Sequence, residues 1–149
     1  MNNVELSVLS PCYNEEESLP RLYTELTRVL VSMGITYEII LVENGSQDDS
    51  MTILENIARE DPHIKIVQLS RNFTYQGGIS AGMAYASGNF LISIDADLQD
   101  PVELIPEMYK KAIAGNYDIV YGIRKSRQEN YFGMDNLLRQ ERNSGYIAG

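Results

Sequence analysis

The heptapeptide Asp95-Ala96-Asp97-Leu98-Gln99-Asp100-Pro101 directly follows the apolar run Phe90-Leu91-Ile92-Ser93-Ile94. Such a run reads as a buried strand, so two carboxylates one residue apart stand at a strand's end. Charge concentrated in this way repels itself unless a cation neutralises it, and a hard divalent ion such as Mg2+ or Mn2+ suits oxygen donors. Magnesium is usually held by one or two carboxylates plus substrate phosphates, so the pair points to a metal-bridged diphosphate. An acidic loop that caps the next helix is the competing reading. Capping accounts for Asp100 and leaves Asp95 and Asp97 unexplained.

The whole chain narrows the chemistry further. Its 149 residues, 44% hydrophobic and 22% charged, suit one soluble domain with a real core. No apolar run approaches the length that crosses a bilayer, and no basic stretch followed by an apolar one opens the chain. The single cysteine, Cys12, excludes an internal disulfide and fits a reducing compartment. A formal charge of −9 argues against nucleic acid and against electrostatic adhesion to anionic lipid. Any phosphate-bearing ligand therefore needs a local device, either a metal or a few basic residues.

The elements that position these residues follow from periodicity. Strands are expected over residues 4–10 (ending at Pro11), 38–42, 64–69, 90–94 and 117–121. Leu19, Leu22, Leu26, Val29, Leu30 and Met33 recur at helical spacing, with Gly34 as the stop. Ile53, Leu54, Ile57 and Ala58 mark a second helix closed by Asp61-Pro62, and a Gly- and Ala-rich helix is expected over about residues 76–86. Asp100, Pro101 and Glu103 form a helix start with an acidic residue three positions after a capping Asp. Strands alternating with helices give an α/β fold, an open and mostly parallel sheet covered by helices on both faces. Ligands then bind outside the carboxyl ends of the strands, where the polar clusters 13–17, 43–49, 71–76, 95–100 and 122–127 all fall. Residues 1–127 read as this core, and residues 128–149 as an irregular tail with one helical turn around Leu137.

Five ordered motifs carry a resemblance. They are Ser10-Pro11-Cys12-Tyr13-Asn14-Glu15-Glu16, Val42-Glu43-Asn44-Gly45-Ser46, Leu69-Ser70-Arg71-Asn72-Phe73, Asp95 to Pro101, and Tyr121-Gly122-Ile123-Arg124. Over about residues 4–127 the chain resembles the family 2 glycosyltransferases of GT-A fold, in particular polyprenyl-phosphate hexosyltransferases of the dolichol-phosphate mannose synthase kind. The resemblance implies a nucleotide pocket lined by Pro11, Tyr13, Glu15, Glu43, Asn44 and Ala96. It implies a Mg2+ or Mn2+ ion on Asp95 and Asp97 with Gln99 as a further oxygen ligand, and Arg124 paired with phosphate. The catalytic set is then Asp95, Asp97 and Arg124. Where this family usually has two aspartates before Gly-Ser, this chain has Glu43-Asn44, which keeps one charge and turns the other into an amide.

Blander roles compete at several of these positions. Tyr13 can bury a planar base while its hydroxyl stays paired, or simply pack on the first helix. Glu16 and Glu17 suit the N-terminal dipole of that helix, and Asp48 or Ser50 suits a cap on the second. Lys125 and Arg127 fit a solvated basic face, Arg71 either the site or a surface ion pair, His63 the surface, and Cys12 a small buried filler.

The implied reaction is an inverting displacement at the anomeric carbon of a UDP- or GDP-hexose. A lipid phosphate acceptor is already ionised near neutral pH and needs no strong base, whereas a sugar hydroxyl does. The family implies action at the cytoplasmic face of a membrane. A non-catalytic nucleotide-sugar-binding module, or a catalytically incomplete fragment, is the alternative. A response-regulator receiver would carry its acids after the first and third strands, and an Asp-x-Asp phosphatase after the first. This chain carries them after the second and fourth.

Overall fold

A computed structural model of the chain describes residues 3–122. The chain divides into two compact units, Met1–Ile105 and Pro106–Gly149. In chain order the elements are β1 (Leu6–Cys12), α1 (Leu19–Met33), β2 (Tyr37–Glu43), α2 (Ser50–Glu60), β3 (Ile64–Gln68), α3 (Thr74–Met83), β4 (Phe90–Ser93) and α4 (Leu104–Gly115). The strands form one sheet in the order β3-β2-β1-β4, with every pairing parallel.

Every residue of β1 and β2 is buried, as central strands covered on both faces require. Leu9, Ile40, Val42, Val67 and Ile79 form one core cluster between the sheet and α3. The small residues of α3 let it lie close: a methyl group at Gly82 would stand 2.1 Å from Leu9 Cδ1 and 2.8 Å from Val42 Cγ2. Residues of opposite parity, such as Val8, Ile39 and Leu41, point to the other face, where α2 packs on β2 and β3 and α1 packs on α2. The chain lays β2 and β3 to one side of β1 and then crosses to lay β4 on the other. That reversal opens a crevice beyond the carboxyl ends of β1 and β4, the place where open α/β sheets bind ligands.

Three expectations are corrected. Strand β1 does not stop at Pro11 but runs through it, with Pro11 paired to Val42 and Cys12 to Glu43. The Leu9 carbonyl accepts the Ile94 N–H, so odd-numbered residues of β1 face β4, while the Cys12 carbonyl accepts from Asn44 on the β2 side. The N–H that Pro11 lacks would point towards β4, whose pairing ends at Leu9–Ser93, so no ladder bond is lost. The expected fifth strand over residues 117–121 is absent. The left-handed Asn116 (φ 48°) closes α4, and the two β-branched residues that follow make no ladder, without which so short a run has nothing to hold it extended. Helix α4 begins at Leu104 after a tight turn in which Leu104 N–H donates to Pro101 O and Ile105 N–H to Val102 O. Glu103, expected to close a capping box, instead accepts from Arg28 of α1 at 2.5 Å.

Candidate functional site

All four loops at the carboxyl ends of the strands contain a left-handed residue: Asn14 (φ 54°) after β1, Gly45 (φ 77°) after β2, Thr74 (φ 68°) after β3 and Leu98 (φ 59°) after β4. Only glycine adopts this region without strain, and a β-branched residue such as Thr74 is the least suited to it. Strain of this kind persists where surrounding bonds over-determine the backbone, and it concentrates at ligand sites.

Those bonds are visible between the first two loops. Asn14 N–H donates to Ser46 Oγ at 3.0 Å, and Asn14 Oδ1 accepts the Gln47 N–H at 2.8 Å. Glu15 N–H donates to Ser50 Oγ, Glu16 N–H to Asp48 Oδ2, and Asp49 N–H to Glu16 Oε2. Glu16 thus ties two loops together rather than serving the dipole of α1. Asp48 also accepts the Ser50 N–H at 3.0 Å, but from the position before the N-cap: the cap of α2 is Asp49, not the expected Asp48 or Ser50, and the Asp49 side chain makes no capping bond.

The laced loops and the β4 loop line an open cleft of about 490 Å3, bordered by Asn14, Glu15, Glu16, Glu17, Ser18, Gln47, Asp48 and Asp97. Of the residues expected at the site, Glu15 and Asp97 meet on this cleft. Glu15 is half-buried and accepts the Ser18 hydroxyl at 2.6 Å. Asp97 is exposed, and its Oδ1 accepts the Gln99 N–H at 3.0 Å, tightening the turn around Leu98. Tyr13 is 42% exposed at the end of β1, with its ring available to a planar ligand.

The others are not on the cleft wall. Pro11 and Ala96 are buried, and Pro11 packs against α3 near Gly78. Glu43 is buried and closes its own turn, its carboxylate accepting the Gly45 and Ser46 N–H groups. Asn44 is also buried, and its amide bridges to the start of α3: Oδ1 accepts the Phe73 N–H at 3.0 Å and Nδ2 donates to the Thr74 carbonyl at 2.8 Å. Arg124, with Lys125, Arg127 and the 128–149 tail, lies outside the described residues.

Sequence reasoning passed over Tyr75. Burial first, then the nearby Asp95 carboxylate, push its phenol up to about 12. An aromatic residue in the first turn of a glycine-rich helix is the available signal. Elsewhere, Arg71 lies over the Phe73 ring, 4.2 Å from its centroid, rather than in an ion pair. Burial first, then the Glu15 and Glu43 charges, push the Cys12 thiol up to about 12, so it is a filler and not a nucleophile. His63 is more than a surface residue: it stacks on Tyr37 and pairs with Asp61 at 2.8 Å, at the opposite end of the strands.

Among the described residues no three His, Cys, Asp or Glu side chains gather to hold a metal. The oxygen donors of Asp95, Asp97 and Gln99 nonetheless fit a hard cation that takes its remaining ligands from phosphates and water.

The sequence profile of Glycosyl transferase family 2 matches residues 7–148. The chain belongs to glycosyl transferase family 2. Within the family it is 51% identical over 125 residues to the uncharacterized glycosyltransferase sll0501 of Synechocystis sp., an alignment covering 84% of this chain and 39% of that protein. It is 42% identical over 129 residues to an undecaprenyl-phosphate 4-deoxy-4-formamido-L-arabinose transferase of Enterobacter sp., covering 86% and 39%. The chain therefore spans about two-fifths of the length of these family members. Its fold is the GT-A fold. S. aureus TarS in complex with UDP superposes with a TM-score of 0.61 at 21% identity, covering 85% of this chain and 38% of that one. A Pyrobaculum calidifontis mannosyltransferase in complex with GDP-Man and Mn2+ gives 0.57 at 17% identity, covering 79% and 34%.

Proposed function

We propose that this chain is the donor-binding half of a metal-dependent, inverting hexosyltransferase that takes its sugar from a UDP- or GDP-hexose and delivers it to a polyprenyl phosphate. The observation that carries the reading is the meeting of Asp97 with the acidic β1 and β2 loops on one cleft at the sheet's switch point. A diphosphate cannot approach Glu15, Glu16, Glu17, Asp48 and Asp97 unaided, because like charges at close range repel. With Mg2+ or Mn2+ held by Asp95, Asp97 and Gln99, the same carboxylates become the reason a nucleoside diphosphate binds there. The ion would supply charge neutralisation for the departing nucleoside diphosphate.

The chain's own residues then have distinct tasks. Tyr13 offers its exposed ring to the base, and Glu15 its carboxylate to sugar hydroxyls. Glu43 and Asn44 shape the floor by fixing the turns above it. Arg124 pairs with phosphate, a task its planar fork suits. In the transfer an oxygen of the acceptor phosphate bonds to the anomeric carbon as the bond from that carbon to the diphosphate breaks. The incoming oxygen carries no proton to remove, so the step asks for no general base. The lipid-phosphate acceptor draws support from the name of the Enterobacter relative, and the metal from the Mn2+ complex of the Pyrobaculum enzyme.

Calorimetric titration with UDP- and GDP-sugars, with and without Mn2+, tests the donor site. Binding that requires Mn2+ and is lost in Asp97→Ala, with unfolding unchanged, is the expected result. Equal affinity in Asp97→Ala would overturn the assignment. Incubation with a polyprenyl phosphate then separates a transferase from a module that only binds.

A further inference from the structure

The pairing of β1 with β2 ends at Cys12–Glu43, followed by one more backbone bond from Asn44 N–H to the Cys12 carbonyl. Beyond it side chains take over the task of holding the two chains together. The N–H groups of Asn14, Glu15 and Glu16 donate to Ser46 Oγ at 3.0 Å, Ser50 Oγ at 2.9 Å and Asp48 Oδ2 at 3.1 Å. In return Asn14 Oδ1 accepts the Gln47 N–H at 2.8 Å, and Glu16 Oε2 the Asp49 N–H at 2.9 Å. Asn14 and Glu16 thus each close a ring, giving to one residue of the β2 loop and accepting from the next. Of the two, Asn14 also turns the chain, at φ 54°.

Building on the donor-site reading, we infer that Asn14 is a positioning residue for the donor: its ring with Ser46 and Gln47 fixes the direction in which Tyr13 and Glu15 meet the nucleotide and its sugar. Several facts favour this over a role in stability alone. Four of the five bonds between the loops are exposed, so water would satisfy the same groups if the loops parted, and they add little to the folded state. What they add is geometry. Asn14 stands between the residue offered to the base and the residue offered to sugar hydroxyls, so its backbone angles set one contact relative to the other. Asn14, Glu15 and Gln47 border the same cleft. A loop already held in its binding conformation has less freedom to lose when the ligand arrives. Asparagine also suits the position chemically: it tolerates the left-handed region and carries an acceptor, whereas glycine has only the first property.

The test is calorimetric titration of the 149-residue chain with UDP and GDP in the presence of Mn2+, beside urea unfolding of each variant. Asn14→Gly keeps the left-handed turn accessible and removes the side-chain acceptor; it is expected to weaken nucleotide binding roughly 10-fold with a nearly unchanged urea midpoint. Ser46→Ala removes the other half of the ring and should weaken binding similarly, while Ser46→Thr, which keeps the hydroxyl, should restore it. Because either loss opens the same ring, the double variant should bind little worse than each single one. Losses that simply add would give the two residues separate roles and overturn the inference. So would urea midpoints that fall while Asn14→Gly and Ser46→Ala keep wild-type affinity; with binding still lost in Asp97→Ala, that result would leave the donor site standing. Absence of nucleotide binding in the wild-type chain would overturn both.

Discussion

The Glu43 carboxylate caps the turn that Ser46 completes: Oε1 accepts the Ser46 N–H at 2.5 Å while Oε2 accepts the Gly45 N–H at 3.2 Å. Ser46 in turn accepts the Asn14 N–H, so one buried carboxylate orders the β2 loop and, through it, the β1 loop. In Glu43→Gln one acceptor becomes an NH2 group facing a backbone N–H, leaving a buried donor unpaired. The expected loss is about 1–3 kcal/mol by urea unfolding, accompanied by weaker binding of the nucleotide.

Gly45 shows how closely these loops approach. A methyl group there would lie 2.5 Å from the Arg71 carbonyl carbon and 2.6 Å from Asn72 N, all backbone, at φ 77°. Gly34, at φ 65° behind α1, has nothing within 4 Å. Gly45→Ala should therefore lose about 2–4 kcal/mol, from backbone strain plus overpacking. Gly34→Ala should lose only the strain, about 1–2 kcal/mol. Equal losses in parallel urea melts would refute the close approach.

Thr74 offers the opposite change. Thr74→Gly relieves the left-handed strain, and after the added chain entropy of glycine the net gain is expected to be about 0.5–1 kcal/mol. The gain should appear as a higher urea midpoint with an unchanged slope. A lower midpoint would show that the threonine side chain contributes more than its backbone conformation costs.

Stability should fall in acid through Glu38. Burial alone would raise its carboxyl, but Lys65 at 2.5 Å, the Ser7 hydroxyl at 2.6 Å and the Ser87 N–H and hydroxyl outweigh it and bring it down to about 2. A depressed folded pKa contributes stability that is complete above the unfolded value near 4.5 and is lost as pH falls towards 2. Over that window the loss is on the order of 3 kcal/mol. Glu38→Gln, unfolded at a series of pH values, should be less stable than the wild type at pH 7 and show a flatter decline below pH 4.5.

Local pattern alone marked most of this protein. Period and composition located β1 to β4 and α1 to α3, because apolar spacing, Gly34 and Asp61-Pro62 act within a few residues of chain. The spacing of Asp95 and Asp97 at a strand's end, and the motifs around Pro11 and Glu43, identified the family for the same reason. Only the tertiary structure decided the rest. Whether Pro11 ends a strand depends on which neighbour its missing N–H would face, and whether residues 117–121 form a strand depends on an available edge. That Glu15 and Asp97 share a cleft while Glu43 and Asn44 are spent holding turns follows from β4 crossing to the far side of β1. Hydrogen bonds such as Asn44 to Thr74, or Asn14 to Ser46, join residues 30 or more positions apart, and no local spacing encodes that distance being closed.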